Sequence, residues 1–358
     1  MKKILIIGLS PILGGVETYI YNLIRFFNKK EYYFDFLIVG NEKSVFEDEI
    51  NTLLNDGINH FHYCPNLKKE YIKGQKWLKK FYKNNKYDII YLNTCTCARI
   101  QYCFGGIMDG AKLISHSHNG NGDSKINNFV FRPILKSMSK VKLSCSDLAS
   151  KWLFGTSKNV QIVSNGVDTS RFCYNQKNRD LIRKNLDVKK DDILIGHVGR
   201  FSKQKNHKYF INLAHITKKN YKFLLIGDGE LKDEFIALVN ENELKNRFYI
   251  LPSKDDIEKY YSAMDLFVMP SLYEGLPIVS VEAQTNGLSC IFSDTVSRNA
   301  NLSGNCSYVS LTEKQKWKKE IEKNAGLRFD GVKEIKNKKF DIESTVKMLE
   351  DSFDKVTK

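Results

Sequence analysis

Two series of short, unbroken apolar runs set the frame for this chain. The first holds KILIIG (3–8), DFLIVG (35–40), DIIYLN (88–93), AKLISH (111–116) and KLSCS (142–146). The second holds DILIGHVG (192–199), KFLLIG (222–227), RFYILP (247–252), DLFVMP (265–270) and SCIFSD (289–294). The runs are continuous rather than alternating, as strands buried on both faces require, and longer segments of helical spacing separate them. Parallel sheets covered by helices on both sides follow from that pattern. The expected fold class is α/β, with two doubly wound, Rossmann-like domains facing each other across a cleft.

Between the two series lies RFCYNQKNRDLIRKNLDVKKDD, a polar stretch that opens no core strand. It places the domain boundary near residue 175, giving domains of 1–175 and 176–340, sizes that 358 residues readily supply. Apolar positions at 340, 342, 346, 349 and 353 predict an amphipathic helix over 341–358, whose apolar face is free to pack back on the first domain.

The formal net charge of +15 implies an anionic partner: nucleic acid, a membrane surface or a phosphorylated ligand. The lysines come without any RNA- or DNA-binding motif, so nucleic acid is not expected. No apolar run approaches the ~18 residues of a membrane span. The opening MKKILIIGLSPILGG imitates a leader, but it runs into Gly-Gly with no small-residue cleavage site and reads as a first buried strand. The eight cysteines form no CxxC pair, several lie in apolar runs, and buried free thiols in a cytoplasmic protein are the expectation. Cys95 and Cys97 are an isolated CxC, too weak to predict a metal site.

Four clusters carry chemistry. Gly14 and Gly15 stand between the first strand and a helix, where glycine backbone lets a ligand come close and the helix N-terminus offers N–H groups to an anion. The motif is not GxGxxG, and a plain strand-to-helix turn remains an alternative. In GRFSKQKNH (199–207), Arg200 and Lys205 follow a strand end, where open α/β sheets bind ligands, and a guanidinium with an ammonium can clamp a diphosphate. In SLYEGLPIVSVEAQ (271–284), Glu274 falls in a loop, Pro277 suits the first position of a helix, and Glu282 lies in its second turn. Backbone N–H groups of Gly275 and Leu276 can face a ligand, while the two carboxylates suit the hydroxyls of a polyol. In HSHN (116–119), His116 and His118 close a strand and are candidates for hydrogen bonding or proton transfer; two structural histidines are the competing reading.

Together these residues resemble the retaining glycosyltransferases of family 4, which have the two-domain GT-B fold. The resemblance runs through GGVE (14–17), HSHN, CSDLASKWLFG (145–155), SNGVDTSRF (164–172), GHVGRFSKQKNH (196–207), LLIGDGELKDE (224–234) and DLFVMPSLYEGLPIVSVEAQ (265–284), and fades beyond about residue 310. WLFG and GRFSKQKNH are similar to the bacterial capsular and exopolysaccharide branch. The resemblance implies that the first domain takes the acceptor and the second a nucleotide sugar, expected to be a UDP-sugar. It implies that Glu274 contacts the transferred sugar, Glu282 the ribose, and Arg200 with Lys205 the diphosphate. Backbone at Gly14, Gly15, Gly275, Leu276 and Pro277 would assist. His118, with His116 as a second candidate, would face the sugar from the first domain, and Ile250 to Ser253 would border the base.

The chemistry agrees with those assignments. Cleaving a sugar–phosphate bond builds an oxocarbenium-like centre and an anionic leaving group, and fixed cations aimed at that charge are a large catalytic term. No Asp-x-Asp pair follows an apolar strand, so no metal or other cofactor is expected. No carboxylate stands out as a covalent nucleophile, unlike in retaining glycosidases, so the family's front-face route is expected over double displacement. A polyprenyl-diphosphate-linked glycan is the implied acceptor, which places the protein at the inner face of the cell membrane. Residues 66–86, with eight lysines, one glutamate and apolar Leu67, Tyr71, Leu78, Phe81 and Tyr82 near one face, are the expected contact with anionic lipid; a core-facing helix is the other reading. A non-catalytic partner subunit and a GT-B-fold sugar-nucleotide epimerase are the alternative functions.

Overall fold

A computed structural model describes residues 1–12, 14–120 and 125–357. The chain divides into two compact units, residues 1–166 with 342–358, and residues 167–341. Lys358, the last residue of the expected C-terminal helix, lies outside the described residues.

The first unit is built on β1 (Lys2–Ile7), β2 (Tyr32–Val39), β3 (Phe61–Cys64), β4 (Ile89–Thr94), β5 (Lys112–Ser117), β6 (Ser139–Ser144) and β7 (Gln161–Ile162). The second is built on β8 (Ile193–Val198), β9 (Tyr221–Ile226), β10 (Phe248–Leu251), β11 (Leu266–Met269), β12 (Cys290–Ser293) and β13 (Cys306–Val309). The strand orders are β3-β2-β1-β4-β5-β6-β7 and β10-β9-β8-β11-β12-β13. All of these ladders are parallel. Both units are thus doubly wound, with the order reversing between β1 and β4 and between β8 and β11. Those reversals open a crevice at the carboxyl ends of the strands.

Each sheet is buried on both faces. In the first unit Ile4 and Ile6 pack with Phe34 and Phe36 on one side, while Leu5 and Ile7 pack with Leu37 and Leu92 on the other. Three strands were not foreseen: β3, β7 and β13. All lie at sheet edges, are short, and carry half-buried or exposed residues, so no continuous apolar run marks them.

The units separate after Gly166, ahead of residue 175. Phe172 is packed into the core of the second unit, and the polar stretch is bound to it by charge. Its helix, Gln176–Asn185, sends Arg179 and Arg183 to Asp265 at 2.6 and 2.9 Å. The C-terminal helix Ile342–Thr357 belongs to the first unit, where Ile342, Val346, Leu349 and Phe353 enter the core beside Phe27 and Tyr32. Burying each such side chain contributes roughly 1.5–3 kcal/mol.

Candidate functional site

In the second unit the predicted residues gather at strand ends. The loop after β8 and the loop after β11 are stitched together. Leu272 N–H donates to Gln204 O at 2.8 Å, Gln204 Nε2 to Tyr273 O at 3.0 Å, and Asn206 Nδ2 to Pro270 O at 3.0 Å. On its other side Glu274 O accepts from Ser297 N–H at 2.9 Å. This fixed backbone brings Lys205 Nζ to 2.7 Å from Glu274 Oε1, with the side chains 16% and 9% exposed. The ammonium lies off the line of an aligned hydrogen bond, leaving Oε1 bound by charge alone.

Two buried histidines lie around Lys205. The His207 ring stacks on Phe201 with centroids 3.9 Å apart and meets His197 edge-on at 4.9 Å. Burial, with the Lys205 charge added, pushes His207 down to about 3 and His197 well below the usual imidazole range. Both rings are therefore neutral at pH 7, and Lys205 carries the positive charge there.

Arg200 is turned outward instead. It is 73% exposed and its Nε donates to Glu230 at 3.0 Å. The two cations of the predicted clamp thus have different carboxylate partners. A GDG turn after β9 explains the local backbone: Phe201 N–H donates to Asp228 O at 2.9 Å, and Cβ atoms at Gly227 and Gly229 would meet Gly199 O at 2.2 Å and Phe201 O at 2.5 Å. Only glycine permits that approach, at φ of +154° and +150°. Asp228 holds Lys232 Nζ at 2.8 Å and accepts from Ser253 N–H at 2.8 Å. The Lys232 ammonium and that N–H bring its carboxyl down to about 2. Ser253 is exposed beyond β10, and Ile250 is half-buried on that strand.

The helix after Glu274 begins at Ile278, with Pro277 extended as its cap residue and no side chain capping it. Pro277 therefore precedes the first helical turn, and the uncapped N–H groups carry the partial positive charge of a helix start. A Cβ at Gly275 would meet no described atom within 4 Å, so the backbone there is open to approach. Half-buried Glu282 accepts from Tyr261 Oη at 2.8 Å. Burial raises its carboxyl to about 7, against the lowering effects of Tyr261 and Arg171.

The first unit presents its own strand-end group. Helix Gly15–Phe26 starts after Gly14 with no side-chain cap, and Gly15, like Gly275, has open space where a Cβ would stand. Glu17, buried in its first turn, accepts from Ser10 Oγ at 2.7 Å and fixes the loop. After β5, His118 Nε2 lies 2.7 Å from Asn93 Oδ1, while Asn93 Nδ2 reaches Tyr91 O at 3.4 Å. With that amide orientation Nε2 carries the proton and Nδ1 offers a lone pair. Burial pushes His118 down to about 3, so the ring is neutral. His116 is wholly buried: its Nδ1 meets Tyr91 Oη at 2.6 Å, and its ring lies 4.1 Å from that of His118. The structure therefore gives His116 a place behind His118, without exposure of its own.

Sequence reasoning passed over Asn93, Asp228, Tyr261 and the Gln204 and Asn206 side chains. The GDG turn after an apolar run was the visible signal for Asp228; the others are single polar residues made meaningful only by the fold. The expected membrane helix also changes meaning. Helix Tyr71–Asn84 buries Leu78, Phe81 and Tyr82 in the core, Leu67 lies there too, and Trp77 stacks on Phe81 at 4.9 Å. Its apolar face is already occupied, leaving lysines with exposed Tyr71 and Ile72 outside. Among the described residues no helix is long and apolar enough to cross a membrane, and no group of three or more His, Cys, Asp or Glu forms a metal-holding cluster.

Comparison with known proteins covers both units. Residues 13–171 match the model described as Glycosyltransferase Family 4, and residues 178–319 match Glycosyl transferases group 1. The chain is 30% identical over 335 residues to EpsF of Bacillus subtilis (strain 168), a candidate glycosyltransferase by name, covering 87% of this chain and 84% of that one. It is 29% identical over 320 residues to UDP-Gal:alpha-D-GlcNAc-diphosphoundecaprenol alpha-1,3-galactosyltransferase of Escherichia coli, covering 83% and 80%. The crystal structure of Anabaena Alr3699/HepE in complex with UDP and glucose superposes with a TM-score of 0.80 at 18% identity, covering 99% of this chain and 100% of that chain. The last likeness establishes the GT-B fold.

Proposed function

This chain belongs to glycosyltransferase family 4, and we propose that it moves a hexosyl or N-acetylhexosaminyl group from a UDP-sugar to a lipid-linked glycan. The pathway is polysaccharide biosynthesis, of the exopolysaccharide or O-antigen kind. The relatives' names support the lipid-linked acceptor, since the galactosyltransferase acts on a diphosphoundecaprenol-linked sugar. UDP as donor nucleotide is supported by that name and by the ligand of Alr3699/HepE.

The observation that carries the reading is the Lys205–Glu274 pair, held at two adjacent strand ends with Glu282 on the helix that follows. In this reading Lys205 binds the diphosphate and stabilises it as the sugar bond breaks, worth roughly 3–4 kcal/mol for one well-placed donor. Glu274 accepts hydrogen bonds from the sugar, and the uncapped helix start near Gly275, Leu276 and Pro277 adds N–H groups for phosphate oxygens. Glu282 accepts the ribose hydroxyls. Arg200, paired with Glu230 only at the exposed surface, where such a pair is weak, exchanges that partner for the donor's phosphates. Backbone at Gly14 and Gly15 is open to a phosphate group, and Ile250 and Ser253 stand beside the base. His118, neutral, accepts a sugar hydroxyl at Nδ1, and His116 holds its ring in place.

Transfer proceeds with retention and without a metal ion in this proposal, because lysine and helix N–H groups offset the leaving charge. The location is the inner face of the cell membrane. The test is a panel of UDP- and GDP-sugars with a lipid-linked acceptor, scoring nucleotide release and the anomeric configuration of the product by NMR, with and without EDTA. Release from a UDP-sugar with retention in EDTA supports the whole reading. Release from none of the donors overturns it, and an inverted product or EDTA-sensitive transfer overturns the mechanism.

A further inference from the structure

Helix Lys125–Met138 turns an apolar stripe away from the protein. Ile126 is 78% exposed, Phe129 79%, Val130 55% and Ile134 38%, and Pro133 between them is exposed as well. The spacing i, i+3, i+4, i+7, i+8 places these five on one helical face. The opposite face is already committed. Leu135 is buried in the core, Asn128 Oδ1 accepts from Cys97 N–H at 2.8 Å, and Arg132 donates to Leu153 O and Trp152 O at 3.2 and 2.8 Å. The stripe is therefore surplus to the fold, whereas the apolar face of helix Tyr71–Asn84 is consumed by it.

Charge identifies what covers the stripe. From residue 124 to 146 the sequence holds Lys125, Arg132, Lys136, Lys140 and Lys142 and no aspartate or glutamate. The nearest acid that follows, Asp147 on the next helix, is paired with Lys151 at 2.7 Å. An apolar stripe on a helix whose own charged residues are all cationic matches a bilayer with anionic headgroups, where acyl chains take the apolar side chains and phosphates the lysines. A second copy of the chain would bring the same cations against themselves. The stripe also spans only about 12 Å of helix, too little for the roughly 800 Å² per partner of a stable protein interface. Pro133 removes one N–H and frees the Phe129 carbonyl, which headgroup water can satisfy.

We propose that the stripe Ile126, Phe129, Val130, Pro133 and Ile134 docks this protein on an anionic lipid bilayer. This rests on the lipid-linked acceptor of the proposed function and names the surface that reaches the acceptor's membrane. The test uses the full chain, vesicles of phosphatidylcholine alone or mixed equally with phosphatidylglycerol, and a triple variant, Ile126→Ser with Phe129→Ser and Val130→Ser. All three side chains are exposed, so the fold and UDP binding should survive. Co-sedimentation should show the wild type on the mixed vesicles only, with affinity falling about tenfold or more in the triple variant. Exchanging Lys76, Lys79 and Lys80 for glutamate on the other helix should cost less. Equal binding of triple variant and wild type, or wild-type binding to neither vesicle, overturns the docking surface. So does a wild-type dimer in sedimentation that the triple variant dissolves, which would assign the stripe to a second copy. UDP release with a short-chain, water-soluble acceptor is read in parallel: it persists in the triple variant if only the docking surface is wrong, and is missing in the wild type if the glycosyl-transfer reading is wrong.

Discussion

Lys205 and Glu274 leave different strands, β8 and β11, and meet at 2.7 Å with little exposure to water. Neither charge is comfortable without the other, because truncating one partner strands a buried ion. In the proposed reaction the ammonium faces a second anion, the donor diphosphate, so the pair stores a cation in place before the donor arrives. Lys205→Met should cut turnover at least about tenfold, because a single charge-assisted donor is worth more than that at a developing anion. Glu274→Gln should lose turnover too, yet its melting temperature should fall less than that of Lys205→Met, since the amide oxygen still faces the more exposed Lys205 ammonium, whereas methionine leaves the Glu274 carboxylate without its cation. Calorimetry with steady-state kinetics on both variants and their double decides this. Near-wild-type turnover in Lys205→Met removes the diphosphate role.

In the proposed reaction Glu282 gives donor binding a pH dependence. Its carboxyl is raised from 4.5 to about 7 by burial. Accepting two ribose hydroxyls needs the ionised form, so UDP affinity should rise as pH increases through about 7. Stability should run the other way. Between 4.5 and about 7 the folded chain binds more protons here than the unfolded chain, so this group's contribution is complete below 4.5 and fades as pH climbs through about 7. Glu282→Gln should flatten both trends and weaken UDP throughout. Calorimetric titration of UDP at several pH values reads the first trend, and urea midpoints read the second.

Much of this architecture is legible in the chain because buried parallel strands must be continuous apolar runs. The runs ending at Gly8, Gly199 and Pro270 also locate the loops that carry Gly15, Lys205 and Glu274. What periodicity lacks is direction. Helices Tyr71–Asn84 and Lys125–Met138 both carry an apolar stripe, yet Phe81 is turned into the core and Phe129 to solvent. Only the packing of neighbouring strands decides which stripe is used. Pairing is equally invisible: Arg200 and Lys205 lie close in sequence, but Glu230 takes one and Glu274 the other. Asn93, which orients His118, is one asparagine among many until β4 and β5 lie side by side.

A buried charge cluster away from the site sets acid and alkaline limits on stability. Asp35 on β2 lies 3.2 Å from His60 Nδ1, accepts from Tyr87 Oη at 2.7 Å and has His62 at 3.4 Å; His60 also reaches Asp56 at 2.9 Å. Burial alone would raise the Asp35 carboxyl, but hydrogen bonds from His60 and Tyr87, with the His62 ring close by, hold it well below its usual range. Burial would lower His60, and Asp35 with Asp56 raises it instead. The Asp35 contribution is present above 3.8 and lost as pH falls through the folded value. The His60 contribution is present below 6.5 and lost as pH rises through its raised folded value. Stability should therefore peak between those limits. Asp35→Asn should lower it by about 3 kcal/mol near pH 6 and blunt the curve on both sides, since the histidines lose their counter-charge. Urea unfolding from pH 2 to 9 checks the shape, and an unchanged curve removes the cluster from the account.

Two glycines separate the needs of the fold from those of the ligand. At Gly229, φ is +150° and a Cβ would meet Phe201 O at 2.5 Å, so Gly229→Ala must push apart the GDG turn and the loop after β8. Backbone cannot yield there without breaking the Phe201–Asp228 hydrogen bond. The variant should lose roughly 1–3 kcal/mol of stability, the usual cost of a non-glycine residue forced into such a conformation. At Gly275 the backbone has no such constraint and a Cβ meets nothing, so Gly275→Ala should melt with the wild type. In the proposed reaction its methyl group would stand where the donor's phosphates approach the helix start. The donor KM should then rise about tenfold while the fold is untouched, the separation expected when only ligand binding is obstructed. Thermal melts and donor kinetics on the two variants test the pair together. An unaltered KM in Gly275→Ala would show that the donor does not approach the backbone at this loop.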